Sequence, residues 1–163
     1  MTRIMKKNRI MKLTSVKKRT NAEFLAPISL CELGLPYILA EFRNRHLLFI
    51  VDTGATESII DSRVFLLLKE ELKTRETNSS ARCVDGSEIT SKLSTAMRFK
   101  VNGKKCNANL SILEQTPHAF DIIAEESGLR IHGILGIDFL TSNNLILDFC
   151  NKVIIRYNAN KVA

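Results

Sequence analysis

The sequence predicts a mainly β domain with one or two short helices, and three observations carry that reading. The first is a hairpin written residue by residue: Met97, Phe99 and Val101 alternate with Arg98 and Lys100, Asn102-Gly103 turns the chain, and Cys106, Ala108, Leu110 and Ile112 alternate with Asn107, Asn109 and Ser111. A two-residue Asn-Gly turn pairs Val101 with Lys104, Phe99 with Cys106 and Met97 with Ala108, which places the apolar residues of both strands on one face. The second is the run Leu47, Leu48, Phe49, Ile50, Val51, too short to span a membrane and suited to a central strand buried on both faces. The third is the scarcity of helical periodicity, which is confined to short stretches after residue 61 and after residue 137.

Taken in order, residues 21–34 are mixed, with Pro27 and Gly34 as breakers and room for one short strand near residues 28–33. Residues 37–42, a polar turn at 43–45 and residues 46–51 form a hairpin that delivers Asp52 to the end of the buried run. Asp61 or Ser62 caps a helix in which Val64, Leu67, Leu68 and Leu72 share one face, ending near Lys73. Polar residues 74–83 lead to Cys83-Val84-Asp85-Gly86-Ser87-Glu88, where Asp-Gly signals another hairpin. After the 97–112 hairpin, Phe120-Asp121-Ile122-Ile123 is compatible with a strand. Gly133 and Gly136 then bracket Ile134 and Leu135, a short helix covers residues 137–141, and residues 145–149 and 153–157 close the chain as two strands around a turn at 150–152.

A chain of 163 residues is one domain long and carries its own core. Its net charge of +7 points to nucleic acid only until the charges are located. Eight of the 24 basic residues, Arg3, Lys6, Lys7, Arg9, Lys12, Lys17, Lys18 and Arg19, fall in the first 20 positions, where there is no acid; residues 21–163 hold 16 basic and 17 acidic side chains, a net of −1. Residues 1–20 therefore read as a solvated, disordered basic arm rather than as a dedicated contact for nucleic acid or membrane. It lacks the continuous apolar stretch of a secretory signal. Cys31, Cys83, Cys106 and Cys150 are widely spaced, with no CxxC pair and no nearby His cluster. No metal or cofactor is expected, and the thiols read as reduced and mostly packed, in a cytoplasmic setting.

The run before Asp52 makes that carboxylate the main candidate for chemistry. Ending a buried strand on an ionised Asp costs several kcal/mol unless the group is hydrogen-bonded, opens into a cleft or meets another acid. Thr53 and Gly54 supply a hydroxyl and close backbone N–H groups. The same three residues also fit an Asx turn closing a strand. His46, His118 and His132 have no Ser or Cys motif beside them, which leaves a nucleophilic triad without support, and Asp61, Asp121 and Asp148 fit caps or turns.

Residues 47–60, Leu-Leu-Phe-Ile-Val-Asp-Thr-Gly-Ala-Thr-Glu-Ser-Ile-Ile, resemble the active-site loop of retropepsin-like aspartic proteases. His132-Gly133-Ile134-Leu135-Gly136-Ile137-Asp138-Phe139-Leu140 is similar to the hydrophobic-hydrophobic-Gly loop that packs beneath it. The resemblance spans roughly residues 35–157 and implies a single-lobe acid-protease fold, closed and β-barrel-like. It also implies a homodimer, since one chain holds one such Asp, acting on a peptide or protein substrate without metal. The domain then runs over 35–163, with 21–34 an extension or first strand.

By the same resemblance Asp52, Thr53 and Gly54 are the catalytic set, with Thr53 bonding across the dimer and Gly54 admitting the substrate backbone. Ala55 and Thr56 floor the cleft, Ile134 walls its side-chain pockets, and Val84, Asp85 and Gly86 form the flap tip. Asp138 takes a helix-start or structural role, and residues 153–157 contribute to the dimer. Two other classes compete: a silent dimer of this fold serving as a peptide-binding or scaffolding module, and an actin-like phosphate turn at residues 52–56, for which 163 residues offer too little chain.

Overall fold

Eleven strands and three α-helices make up the described part of the chain, which in this computed structural model is residues 22–82, 88–113 and 117–157. β3 (Pro36–Phe42) and β4 (Arg45–Val51) form the expected hairpin, with Ile38 opposite Phe49 and Phe42 opposite Arg45 across a two-residue turn in which Arg43 takes φ 53°. β7 (Glu88–Val101) and β8 (Lys104–Leu113) pair in the register read from the sequence, Val101 with Lys104, Phe99 with Cys106 and Met97 with Ala108. Asn102 and Gly103 both have positive φ, at 50° and 75°, as a type I′ turn requires. The apolar face of this hairpin is buried from Met97 to Ile112.

These strands belong to an eight-stranded sheet that also contains β2 (Ser29–Leu30), β5 (Ile59–Asp61), β6 (Thr74–Arg82) and β9 (Gly133–Leu135), in the order β2-β3-β4-β9-β5-β8-β7-β6. A further pairing, Ala40 with Val101 and Glu41 with Lys100, joins β3 to β7 and closes six strands into a ring. The closed, barrel-like form expected of the fold follows from that contact. Phe49, Phe99 and Phe139 stack through its interior with ring centroids 6.0 and 5.9 Å apart, a spacing suited to aromatic pairs.

Three expectations are corrected. Helix α1 (Ser62–Leu68), capped by Asp61 through the Arg63 N–H and continued by a 3₁₀ turn at Lys69–Glu71, buries Val64, Phe65, Leu68 and Leu72, whereas Leu67 is 71% exposed. The inward stripe runs through Phe65 because the helix meets the sheet one position round from the assumed face. Residues 120–123 are not a strand: they lie in α2 (Pro117–Ser127), a third helix where one or two were foreseen. The chain near residue 21 also begins pairing earlier than read. β1 (Ala22–Pro27) runs antiparallel to β11 (Val153–Tyr157), so that β1, β11 and β10 (Leu145–Asp148) form a separate three-stranded sheet with β11 in the middle.

The run from Leu47 to Val51 is buried on both faces, as its composition requires. Leu47, Phe49 and Val51 face the main core. Ile50 and Leu48 face a second cluster whose other members include Phe120 and Ile123 of α2 and Ile131. Helix α2 is thus the cover for the second side of the central strand.

Candidate active site

The chain emerges from β4 at Asp52 and turns at once. The Asp52 carboxylate accepts the Gly54 N–H through Oδ1 at 2.8 Å, and the Ala55 N–H reaches the Asp52 carbonyl at 3.3 Å. Asp52, Thr53, Gly54 and Thr56 are exposed and Ala55 is half-buried. A methyl on Gly54 would lie 3.1 Å from Asp52 Oδ1, so Gly keeps the carboxylate free to sit over the turn. The result is a carboxylate held by its own backbone and offered outward at the end of a rigid strand.

The second Gly loop lies directly under this turn. β9 pairs in parallel with β4, Ile50 beside Ile134 and Val51 beside Leu135, and antiparallel with β5, Ile59 beside Ile134. The Asp52 N–H donates to Leu135 O at 3.0 Å and the Ile137 N–H to Ala55 O at 2.8 Å, which clamps the loop from both ends. A Cβ at Gly133 would lie 2.3 Å from Ile59 O, and one at Gly136 would lie 2.6 Å from Ala55 O. Both glycines are therefore fixed by space: the backbone of β9 and its exit pass closer to the loop than any side chain permits.

Helix α3 (Ile137–Ser142) starts at that exit. Asp138 in its first turn accepts Ser58 Oγ at 2.7 Å, and Ser58 Oγ in turn accepts the Gly136 N–H at 2.9 Å. The structural role expected of Asp138 is thus a specific one: it orients the buried hydroxyl that ties the two loops. Ser58 itself was not singled out from the sequence; its signal is a small hydroxyl residue six positions after the Asp, flanked by apolar Ile59 and Ile60. Asn143 was also missed. Its side-chain amide exchanges two hydrogen bonds with the backbone of Asn107, at 3.1 and 2.7 Å, on the stretch of β8 that precedes its pairing with β5.

A cleft of about 380 Å³ opens beside the loop between Glu57, Ser58 and Asp138 on one side and Arg75, Ser94 and Ser111 on the other. A larger one, about 800 Å³, lies along β6, β7 and β8 and is lined by Glu76, Thr90, Lys92, Leu93 and Ile112 among others. Ile134 is half-buried and packs with Ile50, Phe120 and Ile131 rather than lining either cleft. The arms of the hairpin above, β6 and β7, are paired as far as Arg82 with Glu88. Val84, Asp85 and Gly86 lie outside the described residues.

A family model described as aspartyl protease matches residues 38–139, a stretch that holds both loops and the hairpin between them. The chain belongs to the aspartyl protease family. Among solved structures it is similar to a retropepsin-like aspartic protease from Rickettsia conorii, with 20% identity, 82% of this chain and 89% of that chain covered, and a TM-score of 0.46. It is also similar to the retroviral protease-like domain of Ddi1 from Leishmania major, with 11% identity, 79% of this chain and 95% of that chain covered, and a TM-score of 0.44. A comparison with curated proteins gave no significant match. The retropepsin-like resemblance read from the two loops, and the mainly β fold read from the strand pattern, both stand.

Proposed function

We propose that this aspartyl protease family member is an endopeptidase that works as a homodimer, with one Asp52 from each copy flanking the scissile peptide bond. The observation that carries the reading is the Asp52 carboxylate, outward on a loop locked beneath by Leu135, Gly136 and Ser58. Asp61, by contrast, is buried, with its carboxylate held by the Arg63 N–H and guanidinium.

Hydrolysis without a covalent intermediate needs a base for the attacking water and an acid for the carbonyl oxygen, and two carboxyl groups sharing one proton supply both. The ionised Asp52 takes a proton from water as its oxygen adds to the carbonyl carbon. The protonated Asp52 of the other copy gives its proton to the carbonyl oxygen. Collapse of the tetrahedral diol breaks the C–N bond, with a proton passing to the departing amine, and restores one shared proton. Thr53 holds the two loops together across the dimer, Gly54 leaves room for the substrate backbone, and Ala55 and Thr56 form the floor. In this reading Val84, Asp85 and Gly86 are the flap residues that contact the peptide, and Ile134, beside Ile50, belongs to the wall of the side-chain pockets.

The test is cleavage of a mixed peptide library by wild type and Asp52→Asn from pH 4 to 7, with the mass in solution measured alongside. Asn retains an oxygen for the Gly54 N–H, so the variant keeps the wild-type melting temperature while turnover falls by roughly 10² or more. Cleavage that survives in Asp52→Asn would overturn the reading. A folded dimer that binds peptide and never cleaves would instead favour the scaffolding alternative.

A further inference from the structure

We propose that the outer face of the β7-β8 hairpin, at the end away from Asp52, docks an extended acidic segment of a partner protein through Arg98, Lys100 and Lys105. This surface is separate from the endopeptidase site and stands or falls without it. Glu41, on its rim, pairs with His46, and the chain from 46 to 52 sets roughly 20 Å between the two places.

The sequence concentrates positive charge on this hairpin. Residues 89–113 hold Lys92, Arg98, Lys100, Lys104 and Lys105 and no Asp or Glu. Phe99 and Val101 turn into the core, so Arg98 and Lys100 point outward from β7, and the burial of Cys106 and Ala108 turns Lys105 and Asn107 outward beside them from β8. Lys100 stands opposite Lys105, and Arg98 opposite Asn107. Like charges facing each other across a ladder destabilise a hairpin, and an anion seated between them removes that cost.

The acids nearby are engaged elsewhere. Glu71 takes both Arg43 and Arg45, and Glu23 takes Lys104. Arg156 is turned to the hairpin itself, donating to Lys105 O at 2.8 Å and reaching Cys106 Sγ at 3.0 Å. Among the described residues Arg98, Lys100 and Lys105 form no ion pair. With Arg43 and Asn107 they border a groove of about 370 Å³, in which Glu41, beside Lys100 on β3, is the one acid among the lining residues. Three unpaired cations thus face a single carboxylate.

The spacing selects the ligand. Arg98 and Lys100 are two residues apart on one strand, about 6.6 Å, which is also the distance between alternate side chains of an extended peptide. Acids at alternate positions of such a segment meet both cations, and one of them falls between Lys100 and Lys105. Nucleic acid fits less well. The aromatic residue of the lining, Phe99, is 3% exposed and offers no face to a base, and residues 21–163 carry a net charge of −1, without the broad positive field that draws a polyanion. The basic arm, residues 1–20, has the wrong sign to fill the groove.

The test uses the full chain carrying Asp52→Asn, so that no probe is cut, and a short fluorescent peptide with Glu at alternate positions. Anisotropy at physiological salt is expected to show saturable binding, weakened at least tenfold by Lys105→Glu and by Arg98→Glu. Lys105→Glu sets opposite charges across from each other at Lys100, so the melting temperature holds and the loss belongs to the groove. Lys92→Glu, at the other end of β7, changes the net charge equally and is expected to leave binding as it was. An equal loss in Lys92→Glu, no binding by the parent chain, or tighter binding of an oligothymidine of the same charge would overturn the proposal. No cleavage is measured, so a wild type that hydrolyses no peptide leaves this surface standing; a wild type that hydrolyses peptides while the chain ignores the acidic probe leaves only the endopeptidase reading.

Discussion

Ser58 and Asp138 lie 80 residues apart in the chain and meet at 2.7 Å, hydroxyl to carboxylate, with the Gly136 N–H completing the link at 2.9 Å. This contact joins the loop bearing Asp52 to the loop beneath it. Ser58 is 1% exposed, so removing its hydroxyl strands a buried backbone donor. Ser58→Ala is expected to cost about 1–3 kcal/mol of unfolding free energy by urea titration. Asp138→Asn keeps an oxygen facing Ser58 and costs less than Asp138→Ala. Equal losses in the two Asp138 variants would show that the hydrogen bond is not what holds the loops.

Gly133 and Gly136 leave no room for a methyl group: each would strike backbone first, and at Gly133 the buried Phe49 ring as well, at 2.8 Å. Gly133→Ala and Gly136→Ala are expected to destabilise by about 3 kcal/mol or more, at the upper end of overpacking costs, because neither Ile59 O nor Ala55 O can give way without breaking the strand pairings around the loop. Gly103→Ala, in open space at φ +75°, serves as the comparison and is expected to cost about 1 kcal/mol. Thermal melts of the three variants rank the two effects.

His132 supplies a pH dependence. Its Nδ1 accepts the Leu48 N–H at 3.0 Å, and burial, aided by the Arg130 charge, holds its pKa below the ordinary imidazole value. The unfolded chain therefore takes up the proton first as pH falls below about 6.5, and stability declines from there until the folded imidazole itself titrates. The slope is at most about 1.4 kcal/mol per pH unit. His132→Asn, which can present an oxygen to the same N–H, is expected to flatten this part of the curve. A wild type and His132→Asn with parallel stability profiles between pH 5 and 7 would count against it.

Phe120 is the anchor of α2 on the outer side of β4, packed with Ile50 and Ile131. Phe120→Ala is expected to cost about 3 kcal/mol. Peptide cleavage is expected to fall as well, since Ile50 and Ile134, neighbours on the strands that carry the two loops, lose their backing. Stability lost with full turnover kept would separate α2 from the site.

Strand identity, register and the candidate acid were legible in the sequence because each rests on a local rule. Alternation with an Asn-Gly turn set the β7-β8 register, and an apolar run halted by Asp-Thr-Gly marked the loop, with the spacing of Gly133 and Gly136 marking its partner. The tertiary structure alone decided the rest. Helix α2 was hidden because Phe120, Ile122 and Ile123 fit a strand as well as a helix, and only the uncovered face of β4 settles which face must be met. Leu67 and Phe65 exchanged roles because the angle at which α1 meets the sheet is not written in its periodicity. The Ser58–Asp138 link, the closing of the ring through Ala40 and Val101, and the pairing of β1 with β11 all join residues tens of positions apart, and such contacts exist only once the chain has chosen one packing out of the many that its local preferences allow.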